Sequence, residues 1–403
     1  MSYLRLVPLA LFVSSMAWAE TEACGNITTY QQIIACAESR SPEVLRAESM
    51  VNAKRAATGA ATQLLNPELS VESVKDETDV SLAFPIELGG KRKGRKEVAE
   101  GEAGRVEQEL FLAKAQVRKQ TLLKLLRLRQ FYSEQGLMEE SLETFTKLVK
   151  QYEARLLRSP EQEVTLMVFR VAKGDYGFKK MEYDEELAGL ESYFKINTGL
   201  SIEVIKKILP TTSAKWPVLE DHNADLKSSP LLALYDSEIR IAQGEVTKAR
   251  GDAWPTMSVG PSAKFTKEDG KNTEHYGVNL SMPLPVLSLN GGNKATAHAL
   301  LQSAETRKNL ALQELQAEKD RLLKIYQRSV KALEETPTGK VLDKNHQRME
   351  SLFARGVVPS SLVIEVHRSL VDFEKTRSER ETKAAEAYLD LRILHGEAVE
   401  LNL

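Results

Sequence analysis

Six histidines, His222, His275, His298, His346, His367 and His395, are the side chains best suited to ligating a metal or relaying a proton, yet no two form a His-x-x-x-His pair. There is no Cys-x-x-Cys, and Gly89-Gly90-Lys91 lacks the spacing of a loop that cradles phosphate. These patterns predict no enzyme, no bound cofactor and no resident metal. The densest charge is Lys91-Arg92-Lys93 with Arg95 and Lys96, five cations at a predicted helix start, where the dipole disfavours positive charge. Such a cluster suits a layer of lipid phosphates. Nucleic acid is not indicated, because 55 Lys and Arg against 57 Asp and Glu leave a formal charge of −2.

Cys24 and Cys36 are the only cysteines, and they follow a predicted export signal. Arg5, the apolar run Leu6 to Trp18 and the small-x-small site Ala17-Trp18-Ala19 make residues 1–19 a signal peptide, with the mature chain starting at Glu20. Export takes both thiols to a compartment where disulfides persist, so the pair is a disulfide candidate that would pin the N-terminal segment. No other stretch approaches the roughly 18 apolar residues of a membrane-spanning helix. If the chain crosses a membrane, it must do so with strands.

The elements that position these residues occur twice. Ser229-Pro230 follows Ser41-Pro42 by 188 positions, and Trp254-Pro255 follows Asn66-Pro67 by the same 188. After each X-Pro pair, apolar and polar residues alternate as in a β-hairpin, with turns expected at Lys75–Asp79 and Lys267–Thr273. Each hairpin then enters a joint: Pro85, Gly89 and Gly90 in the first half, and Pro283, Pro285, Gly291 and Gly292 in the second. Proline suits a strand end because it removes a ladder donor, and a Gly-Gly pair is expected to let the backbone turn before a helix. Beyond each joint the apolar positions recur every third or fourth residue, as in a packed helical seam. Small residues on these helices, among them Ala99, Ala113 and Ala297, are expected to permit close approach.

The predicted layout is mainly α with a small β part. A first repeat, 20–209, holds a helix, a hairpin at about 68–88 and long helices at about 91–199. A linker, 210–228, leads to a second repeat, 229–403, with a hairpin at about 256–286 and long helices at about 293–396. Four strands cannot close a barrel, and open backbone groups in lipid cost several kcal/mol each. Since a filled barrel already needs about eight strands, several copies must pool their hairpins.

Two halves, each running from Ser-Pro through a proline-bounded hairpin to a Pro plus Gly-Gly joint and a long helix, resemble the TolC-like outer-membrane efflux proteins over nearly the whole mature chain. The joints Pro85-Ile86-Glu87-Leu88-Gly89-Gly90-Lys91-Arg92 and Met282-Pro283-Leu284-Pro285 look most like the heavy-metal cation efflux (CzcC-like) branch. The resemblance implies a homotrimer in the outer membrane of a Gram-negative bacterium, with a twelve-stranded barrel and a twelve-helix periplasmic tunnel. It also implies work as a passive duct beside a periplasmic adaptor and an inner-membrane RND-type pump. The helix-to-helix tips, where such tunnels close and adaptors dock, fall at Arg158, Glu161 and Glu163 and at Arg355, Gly356 and Pro359. Of the family's lumen-facing acidic positions past the second tip, one is Leu362 here, so only Glu365 carries over. A ring of three such charges would attract cations. On this reading Lys91, Arg92, Lys93, Arg95 and Lys96 face the inner headgroups of the outer membrane. The rivals are a duct for drugs or a secreted polypeptide and, from another class, a periplasmic coiled-coil adaptor or structural protein.

Overall fold

Ser-Pro pairs start helices in this chain. Pro42, Pro160 and Pro230 each occupy the first helical turn, where the missing N–H has no intrahelical partner to lose and φ is already helical. Ser159 adds a reciprocal cap, its Oγ accepting from the Gln162 amide while Gln162 Oε1 accepts from the Ser159 amide. Helix ends carry left-handed glycines, Gly199, Gly356 and Gly396, with φ of 74°, 72° and 72°.

The computed structural model describes residues 24–25, 27–210, 216–219, 226–268, 271–285, 289–337, 339–397 and 399; the predicted signal peptide and His222 lie outside these. The order is α1 (Tyr30–Arg40), α2 (Pro42–Ala61), β1 (Glu68–Val74), β2 (Glu77–Glu87), α3 (Lys91–Glu153), α4 (Pro160–Thr198) and a short α5 (Ile202–Lys206). There follow α6 (Pro230–Gly251), β3 (Thr256–Glu268), β4 (Lys271–Ser281), α7 (Gly291–Glu335), α8 (Gly339–Ala354) and α9 (Ser360–Leu394). The 63 residues of α3 span roughly 95 Å. Pro337 separates α7 from α8, as a missing donor and ring clash require. Among the described residues, no helix is long and apolar enough to cross a membrane.

Both ladders run closer to their turns than the charge pattern suggests. Val74 pairs with Glu77, leaving a two-residue turn in which Asp76 adopts φ 67°, and the second hairpin keeps its register out to Glu268 and Lys271. Short polar side chains tolerate the left-handed region, so charged residues fit inside the ladder's last rungs. The joints also differ from the symmetric expectation. Gly89 and Gly90 do turn the chain, with φ of 73° and 83°, but Gly291 and Gly292 already belong to α7. Asn290 makes that turn instead, with φ 57°, its Nδ2 donating to Ala249 O at 3.0 Å. Asparagine can take this role because its own amide secures the conformation.

At Gly89 the turn is also crowded: a Cβ would lie 2.5 Å from Trp254 Cδ1, whereas at Gly90 nothing lies within 4 Å. Gly90→Ala should therefore cost about 1–2 kcal/mol, the left-handed penalty alone. Gly89→Ala should cost visibly more in a thermal melt of the purified protein. Equal losses would mean that Trp254 moves aside freely.

The two repeats are interleaved. Helix α3 runs through the centre and packs on α2, α4, α6 and α9, while α7 packs on α6 and α9. Glycine decides how close α3 and α6 come. A Cβ on Gly94 would meet Lys248 N at 2.5 Å, one on Gly244 would meet Val98 N at 2.7 Å, and one on Gly251 would meet Lys91 N at 2.8 Å. Gly94 with Gly101, and Gly244 with Gly251, each recur seven residues apart, which keeps them on one helix face. Of the alanines expected at close approaches, Ala99 and Ala297 are buried. Farther from the sheet, Phe131, Phe145, Phe169, Tyr176 and Phe194 fill the space between α3 and α4.

Candidate functional site

The four strands form one antiparallel sheet in the order β1-β2-β3-β4, so the hairpins of the two repeats join directly at β2 and β3. Register places Leu69 opposite Leu82, Val71 opposite Val80, Val80 opposite Ala263 and Ala263 opposite Tyr276. Since directly paired residues share a face, Leu69, Val71, Val80, Leu82, Phe84, Val259, Phe265, Tyr276, Val278 and Leu280 line one side. Ser70, Glu72, Ser81, Ser258, Ser262, Lys264, Gly277 and Asn279 line the other. The apolar side is uncovered, with Tyr276 76% and Val278 75% exposed. Strands β2, β3 and β4 have 11, 13 and 11 residues, enough to span hydrocarbon when tilted, whereas β1 has 7. Among the described strands, β1 and β4 each have one edge without a neighbour.

The five-cation cluster at the start of α3 is largely engaged by protein carboxylates. Arg95 grips Glu87 through both oxygens, the Nη2–Oε2 contact being 2.8 Å. Lys93 reaches Glu97 at 3.7 Å and Lys96 reaches Glu100 at 3.5 Å, both one turn along the helix, and Lys91 donates to Thr256 Oγ1 at 3.1 Å. Arg92 is exposed. The charge that reaches the surface is therefore smaller than the sequence count, because acidic residues one helical turn away accompany the lysines.

At the first tip, Arg158 Nη1 donates to the carbonyls of Tyr152, Glu153 and Arg155 at 3.2, 3.3 and 3.3 Å, closing the C-terminus of α3. Glu161 and Glu163 sit in the first turn of α4 and favour its dipole. Leu156 and Leu157 between them project into solvent, 101% and 92% exposed. At the second tip Gly356 ends α8, Pro359 is the N-cap residue of α9, and Arg355 Nε donates to Ser351 O at 3.2 Å. Glu365 is exposed between the buried Val363 and His367. Cys24 and Cys36 are joined by a disulfide.

A buried ionic network lies farther along α3. Arg127 holds Glu134 through two contacts of 2.6 and 3.0 Å and Glu186 through two of 2.6 and 2.8 Å, and Tyr183 donates to Glu134 at 2.9 Å. Burial opposes the Arg127 charge, but the hydrogen bonds to Glu186 and Glu134 outweigh it and hold the guanidinium above its ordinary pKa. Burial first, and then the Glu134 charge, push the Tyr183 phenol up. Glu134 sits on the buried stripe of α3, three residues after Phe131 and four before Met138, and its pairing with Arg127, and Arg127's with Glu186 on α4, leave no mark in the periodicity of either helix.

The histidines do not stay scattered. His346 on α8 and His367 on α9 bring their rings to 4.7 Å, nearly perpendicular, and with Glu350 they place three ligand atoms within 4.8 Å of one another. His275 lies on the polar face of β4 and His298 Nε2 is 3.2 Å from Arg250. Sequence spacing does not bring this group to light, because a turn and a helix break separate His346 from His367.

The chain thus combines one antiparallel sheet, apolar on one face, polar on the other and open at both edges, with long polar helices. Its fold is that of the TolC-like outer-membrane efflux proteins. The chain superposes on the channel CusC with a TM-score of 0.71 at 15% identity, covering 92% of each chain. It also matches the Campylobacter jejuni outer membrane channel CmeC, with a TM-score of 0.69 and 13% identity over 98% of this chain and 94% of that one. In sequence it is similar to the cobalt-zinc-cadmium resistance protein CzcC of Cupriavidus metallidurans, 26% identical over 242 residues, which cover 58% of this chain. That match spans 57% of the relative's length. No family model matches the chain.

Proposed function

We propose that this chain is the outer-membrane channel subunit of a tripartite efflux system, a passive exit duct for heavy-metal cations. The observation that carries the reading is the single amphipathic sheet built from both repeats. Its β1 and β4 edges need partners, and three copies joined head to tail would close twelve strands without a free edge. The helices, too polar for lipid, continue the wall into the periplasm. Exposed Leu156, Leu157 and Val357 offer an adaptor an apolar grip at the tips, flanked by Glu161 and Glu163. An RND-type pump in the inner membrane would supply the energy. The cargo class is supported by the likeness to CzcC and by Glu365, whose three copies would present a cation-attracting ring.

Arg92 and the residual charge of Lys91, Lys93, Arg95 and Lys96 would meet the inner headgroups beside the joint. Deleting the gene and measuring growth on copper, silver, zinc, cobalt, cadmium and a few drugs tests the cargo. Metal sensitivity is expected, and sensitivity to drugs alone would move the reading to a drug duct. Membrane fractionation tests the architecture, since the channel should appear as a heat-modifiable outer-membrane trimer. A soluble periplasmic monomer would instead indicate an adaptor.

A further inference from the structure

Two imidazoles in the helical wall are arranged as ligands without a partner. His346 is 6% exposed and His367 1%, and the Nε2 atom of each is buried without a hydrogen bond. Leaving such atoms unpaired is costly unless something else meets them. Both Nε2 atoms lie 4.0 Å from the same carboxylate oxygen, Oε1 of Glu350. The opposite nitrogens are both attended by α3: His346 Nδ1 is 3.8 Å from Glu140 Oε1, and His367 Nδ1 is 3.0 Å from Ser141 Oγ.

The Ser141 contact settles a tautomer. Ser141 Oγ donates its hydrogen to Leu137 O at 2.7 Å, so toward His367 it accepts, and the proton must sit on Nδ1. His367 Nε2 is then a bare lone pair aimed at Glu350.

We propose that His346, His367 and Glu350 bind one divalent cation of the zinc or cobalt class, with Glu140 and Ser141 as the outer groups that orient the two imidazoles. Two imidazole nitrogens and one carboxylate oxygen suit this borderline class, and a fourth position remains for water on the side where the Glu350 side chain is 39% exposed. Each donor would sit about 2.0–2.2 Å from the ion, so the side chains need to close by roughly an ångström from their present spacing. Histidine held from behind by a carboxylate or hydroxyl is the usual outer arrangement of such sites. The ion would clip α8 to α9 a few turns behind the Arg355–Pro359 tip, against α3. This site depends on helix packing alone and not on what passes through the channel.

The test uses the full mature chain, untagged and purified in detergent, after chelation and dialysis against zinc or cobalt. The expected result is one ion per chain, a visible cobalt absorption of the intensity given by tetrahedral nitrogen and oxygen ligands, and a higher melting temperature with metal. His346→Ala and His367→Ala should each weaken binding by more than about tenfold, and Ser141→Ala, which leaves all three ligands in place, by about 10- to 100-fold. A His275→Ala/His298→Ala control should bind as the unaltered chain does. Failure of the unaltered chain to retain an ion overturns the proposal whatever the variants do. So does undiminished binding in the folded His346→Ala/His367→Ala double variant.

Discussion

Gly260→Val should prevent the proposed outer-membrane trimer from forming. At this buried position a Cβ would fall on the carbonyl oxygen of Leu82 and lie 2.8 Å from its carbonyl carbon, both of them backbone atoms that cannot rotate away. The contact lies in the β2–β3 seam, which joins the sheets of the two repeats, at a point where Pro261 also removes a ladder donor. Prolines at 85 and 261 already thin this ladder, so little remains to hold the strands if the backbones are pushed apart. The cost should exceed about 4 kcal/mol, the range reserved for steric failure of a core. Gly277→Val is the matched control, because its Cβ would meet only the Ser262 hydroxyl, at 3.3 Å. Heat modifiability on gels and membrane fractionation read both. A Gly260→Val chain that inserts as well as the Gly277→Val chain would show that the repeats do not share a tight seam.

Arg127→Met should cost the helical wall about 3–5 kcal/mol, the range for stripping one partner from a buried ion pair. The Glu134 side chain is 0% exposed, and without Arg127 its carboxylate keeps only the Tyr183 hydroxyl. Coulomb attraction in this interior offsets desolvation while the fork of Arg127 is in place. Once the fork is gone, the desolvation penalty stands alone. Arg127→Met/Glu134→Leu should regain most of the loss, since a pair replaced by apolar groups of similar volume no longer contains a stranded charge. The double-mutant cycle, read from melting of the purified protein, separates the two cases. A single variant as stable as the parent would mean that water reaches Glu134.

The sequence proved readable where a feature is local or repeated. The equal spacing of Ser41-Pro42 and Ser229-Pro230 marks the repeat, and the alternation after Pro67 and Pro255 places both hairpins, since period-two side-chain placement acts within a few residues. The same locality misled at the second joint, where Gly291-Gly292 looks like a turn. An asparagine one residue earlier had already satisfied the geometry, and glycine is tolerated in a first helical turn.

By itself, then, the sequence determined the two-repeat plan, the pleat that makes one sheet face apolar and the insufficiency of four strands, all consequences of short-range backbone rules. Only the tertiary structure decided that β2 lies against β3, that Gly94 and Gly244 let α3 and α6 touch, that Arg127 neutralises Glu134, and that His346 meets His367 across a turn. Those contacts join residues whose chain separation carries no periodic signal, and their energies depend on burial, which exists only once the helices have packed.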